Sequence, residues 1–332
     1  MKMKRFIHTF STARVAAVVL GLAFAGGMLA ACGTSGSTGS TGSTAAGADK
    51  MLVAGSFWDT VIVVNRTAGD SIEWKYGLPR RSECNSVEIV PGTGDVLLSY
   101  RRGARVVKRD STDGGGTIVW DYTDVAPGEE LQTAKVLPDG GYLLAICGTP
   151  ARIVELDSTG LQVRREVRYD LGIEQAHGQF RRVTKAENGN YLIPVITAGK
   201  VLEIGGGDST SLVATYEVGG VPFAVQEIDG GRRLLVALGD GHCAVEVDRQ
   251  SGEVVGRIDS VAGVPLHFVA QTERLANGNT LIANWQGHLP AEAQNAAQLV
   301  EIDSTGAVVW SFDGRAGRPS VKYVSAFCPF AE

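Results

Sequence analysis

The chain has 332 residues, 44% hydrophobic and 20% charged, with 43 glycines, 11 prolines and a net charge of −5. A chain this long can bury a large core, and an acidic balance with no basic run argues against a nucleic-acid partner. The charge is uneven: Lys2, Lys4, Arg5 and Arg14 make the first 31 residues basic, so the remainder stands near −9 against −5 for the whole.

Residues 1–31 read as a targeting segment, a basic start followed by an apolar stretch from Val15 to Leu29. That stretch ends in Leu29-Ala30-Ala31-Cys32, which resembles the lipobox of bacterial lipoproteins. The resemblance implies cleavage before Cys32 and acylation of its thiol and amine. Several acyl chains at ~0.8 kcal/mol per buried CH₂ give a firm membrane anchor. Gly33 in place of Asp implies, by resemblance to enterobacterial lipoproteins, sorting to the outer membrane, facing the periplasm or the exterior. No other apolar run approaches the about 20 residues of a spanning helix. Residues 32–49 carry the lipidated cysteine and GTSGSTGSTGST, too poor in apolar side chains to fold. Such a tether reaches roughly 23 Å r.m.s.. Residues 50–332 form the folded domain.

That domain opens on an incomplete unit. MLVAGSF, VIVVN and SIEWKY are three strands, and no apolar strand precedes Met51. Five fuller units follow, each marked by a tight turn: Gly92-Thr93-Gly94, Asp139-Gly140, Asn188-Gly189, Asp229-Gly230 and Asn277-Gly278. Glycine permits the positive φ such hairpin turns need. Apolar strands follow the turns: DVLLSY, YLLAIC, YLIPVI, RLLVAL, TLIANW. A third strand and a second turn come next, as in IVELDSTG and LVEIDSTG, then a fourth strand such as TIVWDY or AVVWSF. The last apolar run, VKYVSAFCPF, has no partner of its own. Pairing inside Met51–Phe57 would complete the first unit and remove an open sheet edge. The fold expected is all-β: a six-bladed β-propeller of four-stranded antiparallel blades, the first blade closed by the C-terminal strand.

The turn residue, Gly and Trp of Asp303, Gly306 and Trp310, the turn before Trp120, and Gly69 before Trp74 resemble bacterial six-bladed propellers of the quinoprotein-like (PQQ-repeat-like) type. The recurring tryptophans, Trp74, Trp120 and Trp310, stand at the fourth-strand position and are expected to be packing residues. Quinoprotein dehydrogenases have eight blades and an adjacent Cys pair, which this chain lacks, so no redox cofactor is expected. No metal is expected either, because each DSTG turn offers one carboxylate and no Cys pair has metal spacing. Cys84, Cys147, Cys243 and Cys328 read as mostly buried free thiols.

In a propeller, the loops leading into the first strand and those joining the second and third strands share one face. Four of the five histidines, His177, His242, His267 and His288, fall in these loops. So do Arg80, Arg81, Arg101, Arg102, Arg181, Arg315 and Arg318, with Trp58 and Trp285. Arginine supplies forked donors and tryptophan a stacking surface. The candidate ligand-binding residues are Trp58, Arg101, His177, Arg181, His267, Trp285 and His288. Adjacent Arg181 and Arg182 alternate sides, so one of them faces the channel. The longest departure from the repeat, NWQGHLPAEAQNAAQ from Asn284 to Gln298, lies on the same face. The reading is a non-catalytic, envelope-anchored propeller binding a glycan or an envelope protein. The alternative comes from resemblance to periplasmic aryl-sulfotransferases, also six-bladed, with phrases similar to LANGNTLIAN. It would use His177, Arg181 and His267, although the family's His-Asp pair is absent, since Gly178 and Phe268 follow the two histidines.

Overall fold

A computed structural model describes residues 48–78, 83–110, 115–207, 210–314 and 321–331. Cys32, the targeting segment, most of the tether, Arg80, Arg81, Arg315 and Arg318 lie outside them. The described strands form six antiparallel sheets of four. Blade 1 takes its inner strand, Val324–Phe330, from the C-terminus and then runs through Lys50–Gly55, Thr60–Asn65 and Ser71–Gly77. The inner strands of blades 2 to 6 are Cys84–Ile89, Glu130–Val136, Thr184–Lys185, Ala224–Ile228 and Phe268–Arg274. The register of closure is Lys50 opposite Phe330, Leu52 opposite Cys328 and Val53 opposite Phe327. This is the pairing that the orphan C-terminal run predicts.

Neighbouring inner strands belong to different sheets, so side chains rather than a backbone ladder tie them together. Ser86 Oγ accepts from Ala134 N at 2.8 Å, and Thr133 Oγ1 accepts from Val183 N at 3.0 Å. Thr184 Oγ1 donates to Val225 O at 2.8 Å, and Gln226 Oε1 accepts from Arg274 N at 2.7 Å. Gln271 Nε2 donates to Phe327 O at 2.9 Å. Polar side chains therefore link the inner strands around the channel, three of them, Asn85, Ser86 and Glu88, between blades 2 and 3 alone.

The repeated outer motif has a packing cause. Trp120 donates from Nε1 to Gly160 O at 3.1 Å, across the junction with the next blade. A Cβ on Gly160, whose φ is +72°, would sit 2.2 Å from that ring nitrogen, so glycine is what lets the indole in. Trp310 bonds Asp70 Oδ1 at 3.2 Å in the same way, and Trp74 is buried. In the DSTG turn after Ile302, Asp303 Oδ1 accepts from Thr305 N at 2.8 Å and Ala307 N at 3.0 Å. Cys84, Cys147 and Cys243 are buried free thiols, and Cys328 is a partly buried one.

Blade 4 breaks the pattern. Its inner strand keeps only Thr184 and Lys185 in the ladder, with an isolated bridge between Phe180 and Val195. Opposite the gap lies Pro194, which has no N–H to offer. The backbone of Arg181 and Arg182 is thereby released to neighbours: Arg181 O accepts from Thr133 Oγ1, and Arg182 N donates to Phe223 O at 3.1 Å.

Candidate functional site

The break in blade 4 places two arginines at the head of the channel, and they part as strand alternation requires. Arg182 turns into the channel and reaches across it, donating to Ala270 O at 3.0 Å and to Ser325 O on the far side. Burial pulls its pKa down to about 9, so it stays charged at neutral pH. Arg181 turns to the loop face. Its guanidinium donates to His177 O at 2.8 Å, Phe180 O at 2.9 Å and His177 Nε2 at 2.9 Å.

His177 sits on a short 3₁₀ turn, Ala176–Gly178. Because Arg181 can only donate, Nε2 is the acceptor and Nδ1 carries the proton that it gives to Glu130 Oε2 at 2.9 Å. Glu130, the first residue of the blade 3 inner strand, also pairs with Arg101 and accepts from Gln132 Nε2 at 2.9 Å. Burial raises the Glu130 pKa, but His177, Arg101 and Arg181 outweigh it and leave the carboxyl below its ordinary value. Cys147 lies beneath. Burial pushes its thiol up to about 12, so it is not a nucleophile at neutral pH. Arg101 and His177 present half-exposed side chains, 56% and 48%, over a carboxylate that is only 6% exposed.

A second cluster covers blades 5, 6 and 1. Trp285 is 6% exposed, held between Phe268 (ring centroids 5.3 Å apart), His288 (4.6 Å) and Phe57 (5.7 Å). Gly287 makes room for it, since a Cβ there would lie 2.1 Å from the indole. Phe57 is 64% exposed and also meets Tyr323. His288 faces Asp240 at 3.4 Å. Phe223 joins the two clusters: Arg181 lies over its ring at 5.3 Å, and Phe268 meets it edge-on at 5.0 Å. The loop face thus carries a continuous strip from Arg101 through Glu130, His177, Arg181 and Phe223 to the aromatic group around Trp285.

The 284–298 insertion is pinned rather than loose. Asn284 Nδ2 donates to Pro265 O and Ala297 O, each at 3.0 Å, and Gln286 Nε2 donates to Ala296 O at 2.9 Å. Gln298 holds Val321 O and Val324 N.

Of the sequence candidates, Arg101, His177 and Arg181 meet in one cluster, and Trp285 and His288 in the other. His267 sits at the rim of the second, its carbonyl taken by His242 and its N–H given to Asn284 Oδ1 at 2.7 Å. Its buried Nε2 has no partner, and burial followed by the His242 charge lowers its pKa. Among the described residues no contact joins it to His177 or Arg181. Trp58 is half-buried against the core of blades 6 and 1; its neighbour Phe57, with φ +62°, is the ring turned outward. Sequence reasoning missed Phe57 and Phe223. The signal for the break that gathers the first cluster was Pro194, the one proline among the apolar second strands.

Residues 48–307 match the family model for Mal s 1 allergenic protein-like proteins. A protein of unknown function from Bacteroides caccae is 37% identical, with a TM-score of 0.77 over 85% of this chain and 99% of that one. The fold is shared with a chain of the nidogen/laminin complex at 11% identity (TM-score 0.56; 84% of this chain, 97% of that one). It is shared too with a streptogramin B lyase at 13% identity (TM-score 0.52; 80% and 83%). No curated protein matches the sequence.

Proposed function

From a chain that belongs to the Mal s 1 allergenic protein-like family, we propose a non-catalytic binding module, tethered to the bacterial envelope by lipid on Cys32, that takes an acidic or polyhydroxylated glycan on its loop face. One observation carries the ligand class: the strip in which exposed Arg101 and His177 adjoin, through Arg181 and Phe223, an aromatic group ending in exposed Phe57. Forked and imidazole donors suit carboxylates and hydroxyls, and a ring face suits the apolar side of a sugar.

A glycan array probed with the purified full-length chain tests the proposal. The wild type should retain acidic glycans, with affinity reduced about tenfold or more, roughly 1.4 kcal/mol, in Arg101→Glu and in Phe57→Ala. No glycan retained, or equal retention by both variants, overturns it. A photo-crosslinker at position 57 that captures a defined envelope protein while no glycan binds would support a protein ligand instead. Anchoring is tested by palmitate labelling, which should vanish in Cys32→Ser.

The sulfotransferase-like alternative has the His177–Arg181 contact in its favour. Arg181, however, occupies Nε2 while Glu130 holds Nδ1, so neither ring nitrogen is free to attack sulfur. Aryl sulfate turnover that disappears in His177→Ala would reverse that judgement.

A further inference from the structure

Below Arg182 the central channel widens into a cavity of about 1080 Å³ reached from the face of the tight Asn-Gly and Asp-Gly turns. Its charged lining residues are Arg182, Lys135 and Arg109 against Glu88 and Glu273. The cations follow one another down the channel. Arg182, 5% exposed, forms the roof; of its five N–H groups, Ala270 O and Ser325 O take two. Thr184 stands two residues further along the same wall, roughly 7 Å lower, and its hydroxyl accepts from Lys135 Nζ at 3.2 Å. The ammonium therefore sits one strand repeat beneath the root of the guanidinium. Arg109 stands at the mouth, donating from Nε to Gly94 O at 2.7 Å and lying over the Phe330 ring at 5.2 Å.

The two carboxyls do not cancel these charges. Even with both ionised, three cations against two carboxylates leave one positive charge over. Among the described residues neither Arg182 nor Lys135 makes an ion pair, and Glu88 gives its Oε2 to Val136 N at 2.7 Å. Burial raises both carboxyl pKa values, with Lys135 opposing in each case, so the excess grows as the pH falls. A cation held out of bulk water is costly unless it is paired, and an incoming organic cation would meet repulsion. A carboxylate would not: guanidinium and ammonium are charge-assisted donors to its two oxygens. A dianion suits the site less, because its second charge would be buried beside Glu88 and Glu273. Val90, Leu137 and Phe330 give apolar wall toward the mouth for a short hydrocarbon chain.

We propose that this channel is a second binding site, independent of the loop face, for a short-chain aliphatic carboxylate whose head group pairs with Lys135 beneath Arg182.

The pH behaviour follows from the groups around Glu273. Burial raises its pKa to about 7, with Lys135 opposing and Glu88 adding to the rise; the Cys328 thiol is raised as well and stays neutral. Protonating Glu273 removes a negative charge that competes for Lys135. Binding should therefore tighten about tenfold from pH 8 to pH 6. The ligand keeps its own charge over that range, since a free carboxyl titrates at about 4 to 5.

The test is ligand-observed NMR titration of the full-length chain with butyrate, n-butylamine and 1-butanol at pH 8 and pH 6. Butyrate should bind, and the amine and the alcohol should not. Lys135→Gln should weaken butyrate at least tenfold. Glu273→Gln, which keeps the shape and removes the charge, should tighten butyrate at pH 8 and abolish the difference between the two pH values. Thermal melts establish that both variants fold; if Lys135→Gln does not, the Glu273→Gln comparison decides. No butyrate binding at millimolar concentration, equal binding of the amine or the alcohol, unchanged binding in folded Lys135→Gln, or a pH difference that survives in Glu273→Gln overturns the proposal.

Discussion

Glu130 and Glu273 stand on the inner strands of opposite blades, 3 and 6, one at the head of its strand and one near the end, and burial acts on both. At Glu130 three cationic side chains converge and the carboxyl drops below its ordinary pKa. At Glu273 burial wins over the opposing charge of Lys135, and the pKa rises to about 7. The same residue type on the same kind of strand is therefore a finished structural element at one end of the channel and an unmet demand at the other. What differs is the surroundings: loops of blades 2 and 4 bring Arg101, His177 and Arg181 over Glu130, and among the described residues no side chain hydrogen-bonds the Glu273 carboxylate.

The comparison presumes a closed ring, and opening the ring gives the largest expected effect. Deleting residues 321–332 removes a strand whose Val324, Ala326 and Phe327 are at most 2% exposed. At ~1.5–3 kcal/mol for each large apolar side chain plus the lost ladder, the cost approaches the whole stability of a domain. Loss of a cooperative thermal transition is expected; an unchanged melting temperature would refute the shared blade.

Glu130→Gln comes next. It takes the charged acceptor from Arg101 and His177 and a nearby negative charge from buried Arg181, and should destabilise by about 1–3 kcal/mol at neutral pH. Because the folded pKa of Glu130 is depressed, its contribution exists above the ordinary value of 4.5 and fades as the pH falls through the folded one. The gap in chemical-denaturation midpoint between wild type and variant should therefore close in acid.

Glu273→Gln should act with the opposite sign. A raised carboxyl pKa means that the folded state holds the proton more tightly, so wild-type stability declines from pH 4.5 to about 7 and then levels. The variant should gain about 1–3 kcal/mol over wild type at pH 8 and nothing at pH 4. The smallest stability effect is expected of Phe57→Ala, within about 0.5 kcal/mol, as for an exposed side chain outside the core; a large loss would recast Phe57 as a structural residue.

The blades were legible in the sequence because each turn must solve the same φ problem. Gly140, Gly189 and Gly278 take φ of 81° to 86° in successive copies, and only a repeated glycine marks that. Closure was legible because Val324–Phe330 had nowhere else to pair. The loop-face cluster was half legible: position put Arg101, His177 and Arg181 on one face, but their convergence depends on the gap that Pro194 opens opposite Arg181 and Arg182. Glu88, Lys135 and Glu273 were not legible at all. They occupy strand positions where polar residues usually face water, and only closure of the ring turns that side into a channel.

The electrostatic contrast between the two ends is most directly measured by ¹³C NMR titration of the glutamate carboxyls, assigned through Glu130→Gln and Glu273→Gln. The Glu273 signal should titrate near 7 and the Glu130 signal below 4.5. Both signals moving together in the ordinary carboxylate range would contradict the account.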